Sequence, residues 1–372
     1  MTPRPHRPVG HTPVRHRRLA PHRRLPVARR LAMATGAVVI GAALAGCVPG
    51  DSGAVKIALL LPDAKTARYE TFDKPYFTDR INELGEFEIL YSNADQDASK
   101  QQSQAEAALA SGVKVLVLDP VDGAASVSIV AAANAQGVPV ISYDRYISGG
   151  ELAFYISFDN PNIGRLQGEA LVAALDGDQA QGGILMVNGS PTDNNAGGFK
   201  SGAHSVLDAS GYPILAEFDT PDWSPDKAQD WVASQITQYS GRIAAIYAAN
   251  DGTASGAIAA LHAANVTPLP LVTGQDADLA AIQRIVSGDQ YMTIYKDIKQ
   301  EAEIAAEMAV RLANGDEATG QTIIDGTPTT LLGAEIVTVD TIADTVVADG
   351  VYTVAEICTP EYAVACDAAG IR

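Results

Sequence analysis

Short apolar runs alternate with helical patterns along most of the chain, from Val55 to about residue 316. A run without polar alternation is typical of a strand whose two faces are both buried in a parallel sheet. Such runs predict strands over 55–61, 87–93, 113–120, 138–144, 153–159, 183–189, 213–219, 243–251, 269–278 and 291–297. Apolar positions at helical spacing predict helices ending near residue 84 and over 97–112, 123–137, 162–177, 197–211, 225–241, 254–265, 279–289 and 298–316.

This alternation predicts an α/β fold in which parallel sheets are covered by helices on both faces. The number of predicted strands is too large for a single sheet of five or six strands. We therefore expect two doubly wound lobes.

Polar side chains stand where many of these predicted strands end, which is where open α/β sheets bind their ligands. A single cluster of this kind is explained by helix capping alone. Seven clusters favour a site for a hydroxyl-rich ligand, because planar amides and charged groups bind hydroxyls and aromatic rings stack on sugar C–H faces. The side chains are Asp63, Lys65, Arg68, Tyr69, Asp144, Arg145, Asp193, Asn194, Asn195, Asp222, Trp223, Asn250, Asp251, Gln275, Asp276, Asp278 and Lys296.

The charge of the chain is divided unevenly. Its 372 residues have a formal net charge of −18, yet the first 46 residues contain nine arginines and no acidic residue. The rest contains 17 basic and 44 acidic residues, a net charge of −27. Such a surface repels nucleic acid and anionic headgroups, so we expect a neutral ligand or a protein partner.

The first 46 residues are predicted to be a lipoprotein signal peptide. Arg29 and Arg30 precede a short apolar stretch that ends in Leu-Ala-Gly-Cys, which resembles a bacterial lipobox. Cys47 is therefore expected to carry a diacylglycerol, followed by a tether over 47–54. The alternative is an uncleaved anchor with a buried cysteine. The expected location is the outer face of the cell membrane.

Metal and cofactor chemistry are not expected. Cys358 and Cys366 are the other cysteines, and a disulfide between them is favoured over free thiols. His204 and His262 stand on predicted helices, away from other potential ligands. The sequence has neither a Walker A motif nor a G-x-G-x-x-G after a strand.

Five motifs together resemble the D-xylose-binding proteins of ABC transporters, within the type I periplasmic sugar-binding family. They are YDRYISGGELAFYISFDN, GSPTDNNA, NDGTASGAIAAL, GQDADLAAIQRI and MTIYKDI, and the resemblance runs from about residue 55 to about residue 352. It implies a monomeric receptor that binds D-xylose or a related monosaccharide between two lobes and delivers it to a membrane permease, without catalysis.

The resemblance also implies where the sugar and the lobes lie. The implied sugar contacts are Arg68, Tyr69, Arg145, Asp193, Asn195, Trp223, Asn250, Asp251, Asp276 and Lys296. The N-terminal lobe is expected over 55–158 and 297–326, the C-terminal lobe over 159–296 and 327–355, and a tail over 356–372. Crossovers are expected near Phe158–Pro161, Tyr295–Asp297 and Gly326–Pro328.

Two other functions remain open from the sequence. A sensory receptor that presents its closed form to a membrane kinase or chemoreceptor would have the same cleft. A glycosidase using Asp193 and Asp276 is a more remote alternative, since each acid has an amide or cationic neighbour suited to hydroxyl recognition.

Overall fold

The computed structural model describes residues 53–177 and 181–372. The predicted signal peptide, Cys47 and most of the expected tether lie outside the described residues. Within those ranges, no helix is both long enough and apolar enough to cross a membrane.

The first sheet has seven strands in the order β11-β12-β5-β4-β3-β1-β2. All neighbours are parallel except β11 and β12, which form an antiparallel pair. The strands are β1 (Val55–Leu61), β2 (Phe87–Asn93), β3 (Val115–Leu118), β4 (Val140–Tyr143), β5 (Phe154–Phe158), β11 (Thr322–Ile324) and β12 (Thr327–Leu332). The helices packed around it are α1 (Lys74–Leu84), α2 (Ala98–Ala110), α3 (Val127–Asn134) and α9 (Ile298–Ala313).

The second sheet has four parallel strands in the order β7-β6-β8-β9. They are β6 (Gly183–Asn188), β7 (Ile214–Asp219), β8 (Ile243–Ala248) and β9 (Leu271–Val272). Its helices are α4 (Asn160–Gly177), α5 (Asn194–Leu207), α6 (Pro225–Gln238), α7 (Asp251–Ala263) and α8 (Leu279–Ser287). A separate antiparallel pair joins β10 (Thr293–Lys296) to β13 (Ala334–Val337).

Helices α4 and α5 approach each other at two glycines. A Cβ atom on Gly164 would lie 1.9 Å from the Phe199 carbonyl oxygen, and one on Gly202 would lie 1.9 Å from the Pro161 carbonyl oxygen. Any side chain there would push the helices apart. The close packing holds α5, and the polar residues at its beginning, at a set distance from the end of β5.

The third expected crossover, at Gly326–Pro328, is wrong. Asp325 and Gly326 have φ values of +47° and +84°, as a tight Asp-Gly hairpin turn requires, and this turn returns the chain from β11 into β12. Strand β12 then pairs in parallel with β5 in the first sheet. The chain reaches β13 only after Gly333, so 327–332 belongs with the first sheet.

The C-terminal residues do not form a separate tail. Helices α10 (Val354–Ile357) and α11 (Ala363–Ala369) follow β13. Cys358, directly after α10, forms a disulfide with Cys366 in α11. Ile357 and Ile371 are buried in one apolar cluster with side chains of α8 and of the chain after β1. The segment is therefore part of the core.

Candidate functional site

A cavity lies between the carboxyl ends of the strands of the two sheets. Its side chains leave about 20 Å³ open to the centre of a water-sized sphere, so its walls lie close together. It is lined by Thr66, Arg68, Tyr69, Asp144, Arg145, Asp193, Asn195, Phe199, Trp223, Asn250, Gln275, Asp276 and Lys296.

The turn after β1 supplies Arg68 and Tyr69. Arg68 is almost fully buried, and its Nη2 donates to Asp73 and to Glu301, both at 2.6 Å. The Tyr69 hydroxyl donates to Asp144 Oδ2 at 3.1 Å. These bonds hold both side chains against the cavity without a ligand's help.

The end of β4 supplies Asp144 and Arg145. Asp144 has a φ of +53°, a backbone conformation that Asp and Asn tolerate better than most residues. The Arg145 guanidinium lies among acids: its Nη2 is 3.3 Å from Asp63 Oδ2, and its Nε is 3.2 Å from Asp193 Oδ2. The second of these contacts crosses from the first sheet's side of the cavity to the second's.

The loop after β6 has two functions at once. Asp193 is the N-cap of α5, because its Oδ1 accepts from the Asn195 backbone N–H at 2.9 Å. Its Oδ2 accepts from Trp223 Nε1 at 3.0 Å and faces Arg145. One carboxylate thus caps the helix and orients an aromatic ring in the cavity.

Trp223 is held in an unusual backbone conformation. Its φ is +53° and that of Asp222 is +59°, whereas bulky residues rarely adopt positive φ values. The ring meets Phe199 edge-on, with centroids 6.3 Å apart. Local strain of this kind persists only where surrounding contacts impose it, and it recurs at ligand-binding positions.

The remaining wall comes from the ends of β8, β9 and β10. Asn250 caps α7 by accepting from the Thr253 backbone N–H at 2.9 Å. Lys296 Nζ lies 2.8 Å from Asp276 Oδ1, and both side chains are at most 5% exposed. Asp276 also has a positive φ, +96°.

Contacts across the cleft show that the two sides of the cavity are closed on each other. Asn195 Nδ2 donates to the Asp144 carbonyl oxygen at 2.9 Å, and Asn194 Nδ2 donates to the Tyr146 carbonyl oxygen at 2.8 Å. The Gly123 N–H donates to the Thr192 carbonyl oxygen at 3.1 Å. The loop after β6 therefore makes the main polar bridge between them.

The charges that line the cavity balance. Arg68, Arg145 and Lys296 face Asp144, Asp193 and Asp276. Burial alone would raise the pKa of Asp144, but Arg68, Lys296 and Arg145 together lower it below its ordinary value. Burial raises the pKa of Asp193, and Arg145 offsets this only in part. A balanced, buried wall favours an uncharged polar ligand.

Several buried polar atoms of the lining have no hydrogen-bond partner among the described residues. Gln275 Oε1 is one of them, and Arg68 Nη1, Arg145 Nε and Asp276 Oδ1 contact the opposite charges of Asp144, Asp193 and Lys296, at 3.4, 3.2 and 2.8 Å. Buried polar groups are nearly always hydrogen-bonded in native proteins. The set contains both donors and acceptors, so a ligand with several hydroxyl groups would match it.

The structure brings together all of the predicted ligand residues except Asp251. The Asp251 carboxylate faces away from the cavity: it accepts from Gln290 Nε2 at 2.8 Å, from Thr293 Oγ1 at 2.9 Å and from the Asp278 N–H at 2.9 Å. The prediction for Asp251 is therefore corrected, because its acceptors are already used in supporting the loop after β9.

The structure also adds four lining residues. Asp144 and Gln275 stand at predicted strand ends, so the sequence signal for them was present. Phe199 follows Asn195 by four residues on α5, and this helical spacing puts it on the same face. Thr66 had no distinguishing sequence signal.

His204 and His262, which are predicted to lie away from other potential metal ligands, do not line the cavity. His204 contacts Asp208 and Glu217, and His262 contacts Asp289. Over residues 53–177 and 181–372, no group of three His, Cys, Asp or Glu residues is arranged to hold a metal ion.

A family model described as a periplasmic binding protein domain matches residues 57–317. The chain belongs to this family. Its match runs from within β1 to just after α9 and includes every residue that lines the cavity.

Curated relatives include a D-xylose-binding periplasmic protein of Escherichia coli, 36% identical over 82% of this chain and 92% of that protein. A D-xylose-binding periplasmic protein of Haemophilus influenzae is 35% identical over 80% of this chain and 91% of that protein. Among solved structures, an ABC transporter solute-binding protein from Clostridium phytofermentans with bound β-D-glucose has a TM-score of 0.75 and 28% identity. That match covers 81% of this chain and 99% of that one.

Proposed function

We propose that this protein is the substrate-binding component of a sugar ABC transporter, which takes up D-xylose or a related monosaccharide and delivers it to a membrane permease. The observation that carries the proposal is the closed, charge-balanced cavity, in which amide and charged side chains stand beside Tyr69, Phe199 and Trp223. Hydroxyls and C–H faces of one sugar ring complement those two features. The similarity to two D-xylose-binding proteins supports the choice of sugar.

The direct test is a titration of tryptophan fluorescence. The chain contains two tryptophans, so a Trp231→Phe background leaves Trp223 as the reporter. Trp231 stacks on Phe218 and is not among the cavity-lining residues. D-Xylose, D-glucose, D-ribose and L-arabinose are compared, and D-xylose is expected to saturate at the lowest concentration. No saturable response to any of the four would refute the proposal.

Binding is proposed to couple to a movement of two lobes. Each side of the cavity supplies part of the lining, so the sugar has its full set of contacts only when the cleft is closed. The crossovers at Phe158–Pro161, Tyr295–Asp297 and Gly333 are the proposed hinges. Small-angle X-ray scattering is expected to give a smaller radius of gyration with D-xylose than without, and an unchanged radius would contradict closure.

The protein is proposed to be a monomeric lipoprotein anchored through Cys47. The apolar stretch ending in Leu-Ala-Gly-Cys supports this proposal. Cys47→Ser is expected to move the protein from the membrane fraction to the medium or periplasm, with Cys358 and Cys366 intact. An unchanged membrane fraction would contradict the anchor, and a dimer in light scattering of the mature protein would contradict the monomer.

We also propose that the protein does not cleave glycosides. Asp193 lies 3.2 Å from Arg145, and Asp276 lies 2.8 Å from Lys296. Both oxygens of Asp193 also accept hydrogen bonds, from the Asn195 N–H and from Trp223 Nε1, whereas a catalytic carboxyl must present an oxygen to the glycosidic bond. The check is release of 4-nitrophenol from 4-nitrophenyl β-D-xyloside, and steady turnover by the purified protein would contradict the proposal.

A further inference from the structure

A second cavity, here named the hinge cavity, adjoins the first one at the crossover between β10 and α9. Its side chains leave about 300 Å³ open to the centre of a water-sized sphere, and Asp276 and Lys296 line both cavities. The ion pair between these two side chains is thus the wall that separates the cavities. The hinge cavity is lined by Phe72, Tyr76, Asp276, Tyr295, Lys296, Asp297, Ile298, Lys299, Asp349 and Val351.

Aromatic and aliphatic side chains supply its apolar surface. Tyr76 stacks on Phe72 with centroids 6.0 Å apart and planes 9° apart, and Phe72 packs against Tyr352 at 5.8 Å. Tyr76 remains only half-buried. Tyr295 and Ile298 are buried beside this group. The rings are held in place by the core, so they form a preorganised surface for a flat apolar face.

Charged side chains supply hydrogen-bonding groups around those rings. Asp297, Lys299 and Asp349 are exposed at the mouth. At the inner end, Asp276 is 5% exposed, and its Oδ1 contacts Lys296 Nζ at 2.8 Å. Aromatic rings combined with acidic and basic side chains also line the first cavity. That combination recognises a ring with C–H faces and several hydroxyls.

Four separate segments build the hinge cavity. Phe72 and Tyr76 come from the chain after β1, Asp276 from the loop after β9, Tyr295 to Lys299 from the crossover, and Asp349 and Val351 from the C-terminal segment. The C-terminal segment stays in place because Ile357, Cys366 and Ile371 are buried in the same apolar cluster as Phe72 and Tyr295. The cavity is therefore a product of packing between segments far apart in the sequence.

We propose that the hinge cavity is a second binding site, which takes another polyhydroxylated ring next to the sugar in the first cavity. The choice of D-xylose as the probe rests on the proposed function. A ring there would lie against the outer side of the Asp276–Lys296 pair, while the first sugar lies against its inner side. The second site has an exposed mouth and lacks an enclosing wall, so we expect weaker binding there than in the first cavity.

The test is calorimetric titration of the mature protein with D-xylose up to tens of millimolar. Wild type is expected to bind in two events, a strong one and a weak one. Val351→Trp fills the hinge cavity and should remove the weak event, while Tyr76→Ala should weaken it at least tenfold. Tyr212→Ala is the matched control, since Tyr212 is also half-buried but bonds to Asp176 outside both cavities. Both events should survive in that control.

The outcomes separate this inference from the proposed function. A single event in wild type over the whole range, or a weak event that survives both Val351→Trp and Tyr76→Ala, overturns the second site. Absence of the strong event, or a strong event unaffected by Asn195→Ala, contradicts the first site instead. Each variant is judged only after a cooperative melt and an unchanged strong event show that it has folded, and Tyr76→Ala decides if Val351→Trp does not fold.

Discussion

Gly189 should control the position of Trp223, and replacing it with alanine should weaken sugar binding. An alanine Cβ at position 189 would lie 2.1 Å from Trp223 Cη2, 2.3 Å from Cζ2 and 2.7 Å from Cζ3. Carbon atoms in contact are about 3.5–4.0 Å apart. The indole must therefore move by more than an ångström. Gly189 does not itself line the cavity, so its effect passes through the ring.

The expected loss follows from the contact that the ring offers the sugar. The hydrogen bond to Asp193 at 3.0 Å and the edge contact with Phe199 at 6.3 Å exist with or without sugar, so their loss lowers stability. An aromatic contact contributes about 0.5–1.5 kcal/mol. Gly189→Ala should thus weaken D-xylose binding by about 0.5–1.5 kcal/mol, or roughly 2- to 12-fold.

The assay is titration with D-xylose by calorimetry, together with Trp223 fluorescence in the Trp231→Phe background. Gly197→Ala is the matched control: Gly197 lies in α5, and a Cβ there would meet nothing within 4 Å. That control should keep its affinity and its melting temperature. An affinity of Gly189→Ala within twofold of wild type, with the variant folded, would refute the reasoning that Gly189 positions the ring.

Three further predictions concern the site and its support. Asn195→Ala should weaken D-xylose binding by about 1–3 kcal/mol in calorimetry, because it leaves buried polar groups unpaired. An unchanged affinity would indicate that the loop after β6 only caps α5 and does not bind the sugar. Burial raises the pKa of Asp251 from 3.8 to about 7. Between these two pH values the folded protein keeps a proton on Asp251 that the unfolded chain loses. The free energy of unfolding by urea should therefore fall as pH rises from 3.8 to about 7. Asp251→Asn should remove this part of the slope, and parallel pH profiles for the two proteins would contradict the assignment. Replacing Cys358 and Cys366 together by serine should lower the free energy of unfolding by about 2–4 kcal/mol. The D-xylose affinity should not change, since neither cysteine lines the cavity. An altered affinity would show that the C-terminal segment acts on the site.

Much of the architecture could be predicted because local sequence patterns determine where strands and helices begin and end. The bounds of β1 and β2 match the apolar runs over 55–61 and 87–93. Asp193, which the sequence predicts as a sugar contact, both caps α5 and lines the cavity. The hairpin at Asp325-Gly326 was missed although its dipeptide is a strong turn signal, and this error displaced the third crossover.

The sequence by itself determined which strand ends are polar, and hence where a hydroxyl-rich ligand would lie. It did not determine which of two neighbouring polar residues faces that ligand. Asn250 and Asp251 are adjacent at the start of α7, yet only Asn250 lines the cavity, because Asp251 meets Gln290 and Thr293 from a later loop and strand. The hinge cavity likewise exists only because α1, the crossover and the C-terminal segment pack together. Local patterns fix strands, helices and caps, whereas the direction and partners of a buried side chain depend on residues far away in the chain.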